Sequence, residues 1–98
     1  MKLLFTAERK FATGSQDAAL MAWEESNNKL YRQFKFKNFS EAFAFMTRVA
    51  LIAEKMDHHP EWKNTWNTVD VWLSTHDAGD IVTDKDRKLA NSIDKLFA

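Results

Sequence analysis

Three histidines carry the chemistry open to this chain. His58 and His59 lie in Glu54-Lys55-Met56-Asp57-His58-His59-Pro60-Glu61-Trp62, His76 lies in Ser74-Thr75-His76-Asp77, and the 98 residues hold 3 His in all. Imidazole is the side chain whose ordinary pKa lies nearest neutrality. A cluster of three can therefore deliver one proton and remove another without metal or cofactor. That pair of proton movements is the chemistry of an elimination or dehydration. A plainer role stands beside it, since a His-His pair after a helix also caps its negative end. A three-histidine zinc site is a sharper rival. Adjacent histidines in an extended segment point to opposite sides, which makes joint coordination awkward, and no metal is expected.

The neighbours of the histidines divide in the same way. Glu54, one helical turn before His58, is placed to tune its protonation, and is equally a solvated surface residue. Trp62 offers a ring for stacking on a flat ligand, although a strand Trp more often packs in a core. Asp57 and Asp77 read as cap or turn residues unless a ligand amine reaches them. Asp86, at a helix start, reads as structural.

A hairpin argument brings the histidines together. Trp62–Trp66 and Val69–Thr75 read as strands around a two-residue turn at Asn67-Thr68. This sets Trp62 opposite Leu73, His59 opposite His76 and His58 opposite Asp77, with opposed Cβ atoms about 5 Å apart. Pro60 and strand twist loosen the register to a neighbourhood. Val69, Val71, Leu73 and Thr75 alternate with Asp70, Trp72, Ser74 and His76, giving one core face and one polar face.

The remaining elements frame this hairpin. Thr6-Ala7-Glu8-Arg9 reads as the opening of a short helix. A first hairpin turns at Ser26-Asn27-Asn28, with Leu30, Phe34 and Phe36 on the core side and Arg32 breaking that face. The longest helix starts at Asn38 or Ser40 and ends at Asp57-His58-His59-Pro60. Its Phe39, Phe43, Met46, Ala50 and Ala53 are expected to face the sheet, and Phe45, Val49, Ile52 and Met56 form a second stripe. A helix apolar over so wide an arc is deeply buried or paired with another subunit, so a homo-oligomer built partly through residues 39–56 is expected. Thr83-Asp84-Lys85-Asp86 opens a last helix with Leu89, Ile93, Leu96 and Phe97 on one face. The fold class is α+β: a four-stranded antiparallel sheet with three helices packed on one face, in a single domain over 1–98.

Composition sets the bounds. Lys+Arg and Asp+Glu both total 14, so the charge footprint of a nucleic-acid binder is missing and no direct nucleic-acid partner is expected. No run of about 18 apolar residues is present, so no membrane span is expected. The absence of Cys removes thiolate chemistry and suits the cytoplasm, with the nucleus open to so small a chain.

The block from Glu54 to Trp62, followed by Leu73-Ser74-Thr75-His76, resembles the signature of the pterin-4a-carbinolamine dehydratase family. The resemblance extends through Phe34-Lys35-Phe36-Lys37-Asn38-Phe39 and Phe43-Ala44-Phe45-Met46-Thr47-Arg48-Val49-Ala50. It covers roughly residues 29 to 98 and, weakly, the N-terminal third. It implies dehydration of 4a-hydroxytetrahydrobiopterin to quinonoid dihydrobiopterin, in recycling the cofactor of aromatic amino acid hydroxylases. It implies His58 and His76 as the acid/base pair, with roles open, and His59 as a residue orienting substrate. Asp57, His58, His59, Ser74, Thr75, His76 and Asp77 would line the pterin site, with Trp62 part of its wall. Animal members also serve as dimerisation cofactors of a homeodomain transcription factor, which makes a helix-mediated interaction module the alternative. Asp77-Ala78-Gly79-Asp80 lacks the Cys found in those members.

Overall fold

The computed structural model of the protein describes residues 22–97. In chain order these form β1 (Glu24–Ser26), β2 (Lys29–Lys35), α1 (Phe39–Met56), β3 (Glu61–Thr65), β4 (Thr68–Leu73) and α2 (Asp84–Phe97). A single 3-10 turn, His76–Ala78, lies between β4 and α2. The strands make one antiparallel sheet in the order β1-β2-β4-β3. The described residues thus contain two α-helices where three were expected over the whole chain. The helix expected to open at Thr6 lies outside them.

Local chemistry explains the first half. Asn27 and Asn28 both take positive φ, 52° and 64°, which is the geometry of a two-residue hairpin turn matched to strand twist. Asn38 caps α1, its side-chain oxygen accepting from the Glu41 N–H at 2.9 Å. The helix ends where Asp57 enters the left-handed region (φ 54°) and its N–H returns to the carbonyls of Ala53 and Glu54.

Alternation sets the faces of the sheet. Leu30, Phe34, Val69, Val71 and Leu73 are buried under the helices with Phe45, Val49, Ala53, Leu89 and Ile93. Tyr31, Gln33 and Asp70 point to the opposite face, where Asp70 accepts from the Tyr31 hydroxyl at 2.5 Å and from Gln33 at 2.9 Å. That bond to a carboxylate holds the Tyr31 proton and pushes its pKa up to about 12.

Two expectations from the sequence are corrected here. On α1 the buried face draws on both stripes: Ala42, Phe45, Val49 and Ala53 are buried and Met46, Ile52 and Met56 pack against the core, whereas Phe39 (49%) and Phe43 (56%), expected to face the sheet, are exposed, as is Ala50. Both stripes have helical period, so spacing could not rank them. Packing does, because the Phe45 ring sits 4.8 Å from Phe34 and 4.9 Å from Phe36. Second, Thr65 pairs with Thr68, so the β3–β4 turn is Trp66-Asn67 and Trp62 faces Val71 instead of Leu73. Asn67 exchanges hydrogen bonds with Phe36: its side chain donates to the Phe36 carbonyl at 2.9 Å, and its carbonyl accepts from the Phe36 N–H at 2.9 Å. Trp66 adopts the left-handed conformation, at φ 50°.

Arg32, which interrupts the core face of β2, meets a partner from α2. Its guanidinium donates to Asp94 at 2.6 Å and lies over the rings of Phe34 and Phe97. The Trp23 indole N–H donates to the same carboxylate at 3.0 Å and 3.1 Å. Among the described residues, no buried side-chain nitrogen or oxygen lacks a hydrogen-bond partner.

Candidate active site

The left-handed residue at the end of α1 decides where the two adjacent histidines go. With the chain reversed at Asp57, the His58 N–H bonds the Ala53 carbonyl at 3.0 Å and its ring turns into the protein, leaving the residue 8% exposed. The next residue projects the other way. His59 is exposed, and its Nε2 lies 2.8 Å from Glu54 Oε1. Glu54 therefore engages His59, not His58 as its one-turn spacing suggested. The opposed directions of the pair are those expected of neighbours in an extended segment.

His58 is held by Asp86, the third residue of α2. Nε2 lies 2.6 Å from Asp86 Oδ1, and Asp86 is fully buried. The second carboxylate oxygen accepts from the Thr75 hydroxyl at 2.7 Å and from the Thr83 N–H at 2.8 Å. The Thr83 contact is the reciprocal half of a capping box, as the Thr83–Asp86 spacing implied. The other two are not helix-start chemistry. They tie together the segment after α1 and the segment after β4, which are remote in sequence.

Thr75 is fixed on every side. Its backbone N–H donates to Ile81 at 2.8 Å, its carbonyl accepts from Ala78 and Asp80, and its hydroxyl lies 2.6 Å from that of Thr83. Gly79 closes the intervening turn at φ 93°, a conformation glycine adopts without strain. His76 is presented from this turn with its side chain 91% exposed, and Nδ1 lies 3.0 Å from Asp80 Oδ1. The hydrogen bond to Asp80, its negative charge, and that of Asp77 raise the His76 pKa above its ordinary value of 6.5.

The convergence inferred from hairpin register takes a different form. The ladder ends at Glu61↔Trp72, so His58, His59 and Pro60 lie outside it. The observed register, extended formally past Glu61, sets His58 opposite Thr75 instead of Asp77. The meeting point is then a hydrogen-bonded link through Asp86 and not a cross-strand pair. Among the other sequence candidates, Asp57 and Asp77 are exposed, Ser74 is half-buried, and Trp62 packs against the core from a half-buried position. Asp86 is the residue that spacing underrated. Its capping position was legible, but nothing in the sequence signals where its other oxygen points. A hollow of about 320 Å³ on the outer face of the sheet, lined by Ser26, Asn27, Lys29, Tyr31, Glu61 and Trp72, contains none of the histidines. Among the described residues, no group of three or more His, Cys, Asp or Glu is arranged to hold a metal ion.

Comparison with known proteins gives the arrangement its context. The family profile described as Pterin 4 alpha carbinolamine dehydratase matches residues 7–96, so the likeness reaches well into the N-terminal third. A Bradyrhizobium protein provisionally named as a pterin-4-alpha-carbinolamine dehydratase is 53% identical over 95 residues, covering 93% of this chain and 95% of the relative. A Mesorhizobium japonicum protein with the same provisional name is 65% identical over 66 residues, covering 67% of this chain and 66% of the relative. The crystal structure of a transcriptional coactivator/pterin dehydratase from Brucella melitensis has TM-score 0.78 and 45% identity, covering 85% of this chain and 89% of that one. A pterin dehydratase-like RuBisCO assembly factor of the alpha-carboxysome, at 22% identity and TM-score 0.67, covers 79% of this chain and 90% of that one and shares the fold. With nearly the whole sequence matched and the signature segments linked through one buried carboxylate, the chain belongs to the pterin-4-alpha-carbinolamine dehydratase family.

Proposed function

We propose that this protein dehydrates 4a-hydroxytetrahydrobiopterin to quinonoid dihydrobiopterin by histidine acid/base catalysis, in tetrahydrobiopterin recycling. The observation that carries this reading is the Asp86 link. It sets a buried imidazole, His58, beside the segment that presents an exposed imidazole, His76. Two such groups match the two proton movements of the reaction. The C4a–OH bond breaks as a proton reaches the departing hydroxyl, which leaves as water. The N5–H proton goes to a base, and its electron pair becomes the C4a=N5 double bond. No electron is gained or lost, and the enzyme returns to its starting state by exchanging protons with solvent.

His58 and His76 form the acid/base pair, and His59 orients the substrate. Asp57, Ser74, Thr75 and Asp77 complete the lining, with Trp62 as part of the wall. The test is the stopped-flow decay of chemically generated 4a-hydroxytetrahydropterin, with and without the protein. The native chain is expected to accelerate the decay, and His58→Ala/His76→Ala to lose roughly 100-fold or more of that acceleration. A folded native protein that leaves the spontaneous rate unchanged would sink the reading.

A second reading rests on a separate observation. Phe39, Phe43 and Leu51 are 49%, 56% and 68% exposed on α1. Such a stripe suits contact with a second copy of the chain, giving a homo-oligomer, or with another protein as an interaction module. The two readings are compatible, since the histidines lie beyond the end of α1 and the exposed stripe lies along it.

A further inference from the structure

We propose that the hollow on the outer face of the sheet binds a flat bicyclic heterocycle through an edge that carries a carbonyl, a ring N–H and an amino group in a row. Pterins and guanine share that edge. The hollow encloses about 320 Å³ and is lined by Ser26, Asn27, Lys29, Tyr31, Glu61 and Trp72. No histidine lines it, so the proposal holds or fails independently of the dehydratase reading.

Sheet register assembles the walls. Tyr31 pairs with Trp72 across β2 and β4, and Glu61 pairs with the same Trp72 across β3 and β4. Three adjoining strands thus set one row on the outward face. Lys29 lies two residues before Tyr31, on the same face, and its ammonium crosses β4 to donate to Glu61 Oε1 at 2.7 Å. Neighbouring strands lie about 4.8 Å apart, so the link bridges about 10 Å between the backbones of β2 and β3. Two aromatic rings, 5.2 Å apart and tilted by 34°, are therefore edged by a carboxylate and an ammonium.

A second observation marks this face as built for contact. Asp70 lies on the outward side of β4, where a carboxylate is ordinarily solvated, yet it is only 7% exposed. Its Oδ1 accepts from the Tyr31 hydroxyl and from Gln33, and those hydrogen bonds reach neither the helices nor the histidines. They hold the Tyr31 ring beside Trp72. A ring fixed before binding loses little freedom when a ligand stacks on it.

The polar groups then match the ring edge. A carboxylate accepts two parallel N–H bonds, so Glu61 can take the ring N–H at Oε1 and the amino group at Oε2. Oε2 has no partner among the described residues. The Lys29 ammonium carries three hydrogens; one goes to Oε1, and another can reach the carbonyl oxygen beside the ring N–H. The ion pair stays intact as the edge docks, and the flat ring stacks on the aromatic pair. Adenine presents an acceptor nitrogen where the site requires an N–H, and is excluded.

The test is ¹H–¹⁵N correlation spectroscopy of the full chain, titrated separately with biopterin, guanosine and adenosine. Biopterin, guanosine or both should shift the Trp72 indole N–H and the backbone amides of Lys29, Tyr31 and Glu61, with Kd below about 1 mM. The Trp72 signal is identified by its loss in Trp72→Phe, and the tighter ligand names the source of the ring. Adenosine should leave these signals in place. Glu61→Gln sets an NH2 group against one of the two donors and should weaken binding by about 10-fold or more. The Glu61 side chain is 64% exposed, and a surface ion pair adds little stability, so this variant keeps the fold. The proposal is overturned if neither ring shifts these signals, if adenosine shifts them equally, or if Glu61→Gln binds as tightly as the wild type. Biopterin shifts confined to Asp57–His59 and Ser74–Asp77 would also overturn it, while supporting the dehydratase site.

Discussion

At the scale of residues, the candidate site is a study in how one helix end sends identical side chains to opposite fates. His58 and His59 share a side chain and adjoining positions, yet one is buried against Asp86 and the other lies against Glu54 in solvent. The left-handed turn at Asp57 makes the difference. His76 is tuned by local means, because Asp80 sits 3.0 Å away within the same turn. The hydrogen bond and negative charge both favour the protonated ring, so the His76 pKa stands above its usual value. Replacing Asp80 by Asn removes the charge, and the limb of the pH–kcat profile that belongs to His76 should move to lower pH. With His76 as proton donor this is the falling limb on the alkaline side, and activity near neutrality should drop. A profile identical to that of the wild type would show that His76 titration does not limit turnover.

At the scale of elements, α2 is held at both ends by carboxylates, in different ways. Asp86 at its start is fully paired. Asp94 near its end accepts from Arg32 of β2 and from Trp23, and is still pushed up from 3.8 to about 6, because burial outweighs the pull of Arg32 and of the Trp23 hydrogen bond. A carboxyl whose folded pKa lies above its unfolded value binds its proton more tightly when folded. Its stabilising contribution is therefore complete below about pH 4 and is lost as pH rises through about 6, an effect on the order of 3 kcal/mol. Asp94→Asn cannot titrate. The stability difference between wild type and Asp94→Asn, measured by urea unfolding, should shift against the wild type as pH rises from about 4 to about 7. A difference constant over that range would mean that Arg32 neutralises the buried charge completely.

At the scale of the whole molecule, the question is what meets the outer stripe of α1. The stripe runs Phe39, Phe43, Ala50, Leu51, with Phe39 and Phe43 rings 5.9 Å apart, and is separate from the core stripe of Phe45, Val49 and Ala53. Ile52, a natural choice for breaking an interface from spacing alone, packs against the core and would confound assembly with folding. The exposed positions are the informative ones. Phe43→Asp combined with Leu51→Asp should shift sedimentation velocity from oligomer to monomer while changing the stability of the isolated fold by less than about 1 kcal/mol. A monomeric wild type, or an oligomer unaffected by the double substitution, would remove the homo-oligomer reading. No helix among the described residues is long and apolar enough to cross a membrane.

The sequence by itself determined the period of each described element, the capping of both helices, the alternation of β4 and the histidine signature. These are local properties, fixed by residues within a turn or a strand of one another. Phe45 against Phe43 on α1, Trp66 against Asn67 in the turn, and Asp86 as more than a cap were left to the tertiary structure. In each case the sequence left two local choices open, and a contact from a distant segment accompanies the one adopted: Phe34 and Phe36 for the helix face, Phe36 for the turn, His58 and Thr75 for the carboxylate. Spacing ranks residues against their neighbours in sequence. A buried hydrogen bond or a packed ring is decided by neighbours in space, where an unpaired polar group costs about 1–3 kcal/mol and leaves one arrangement favoured.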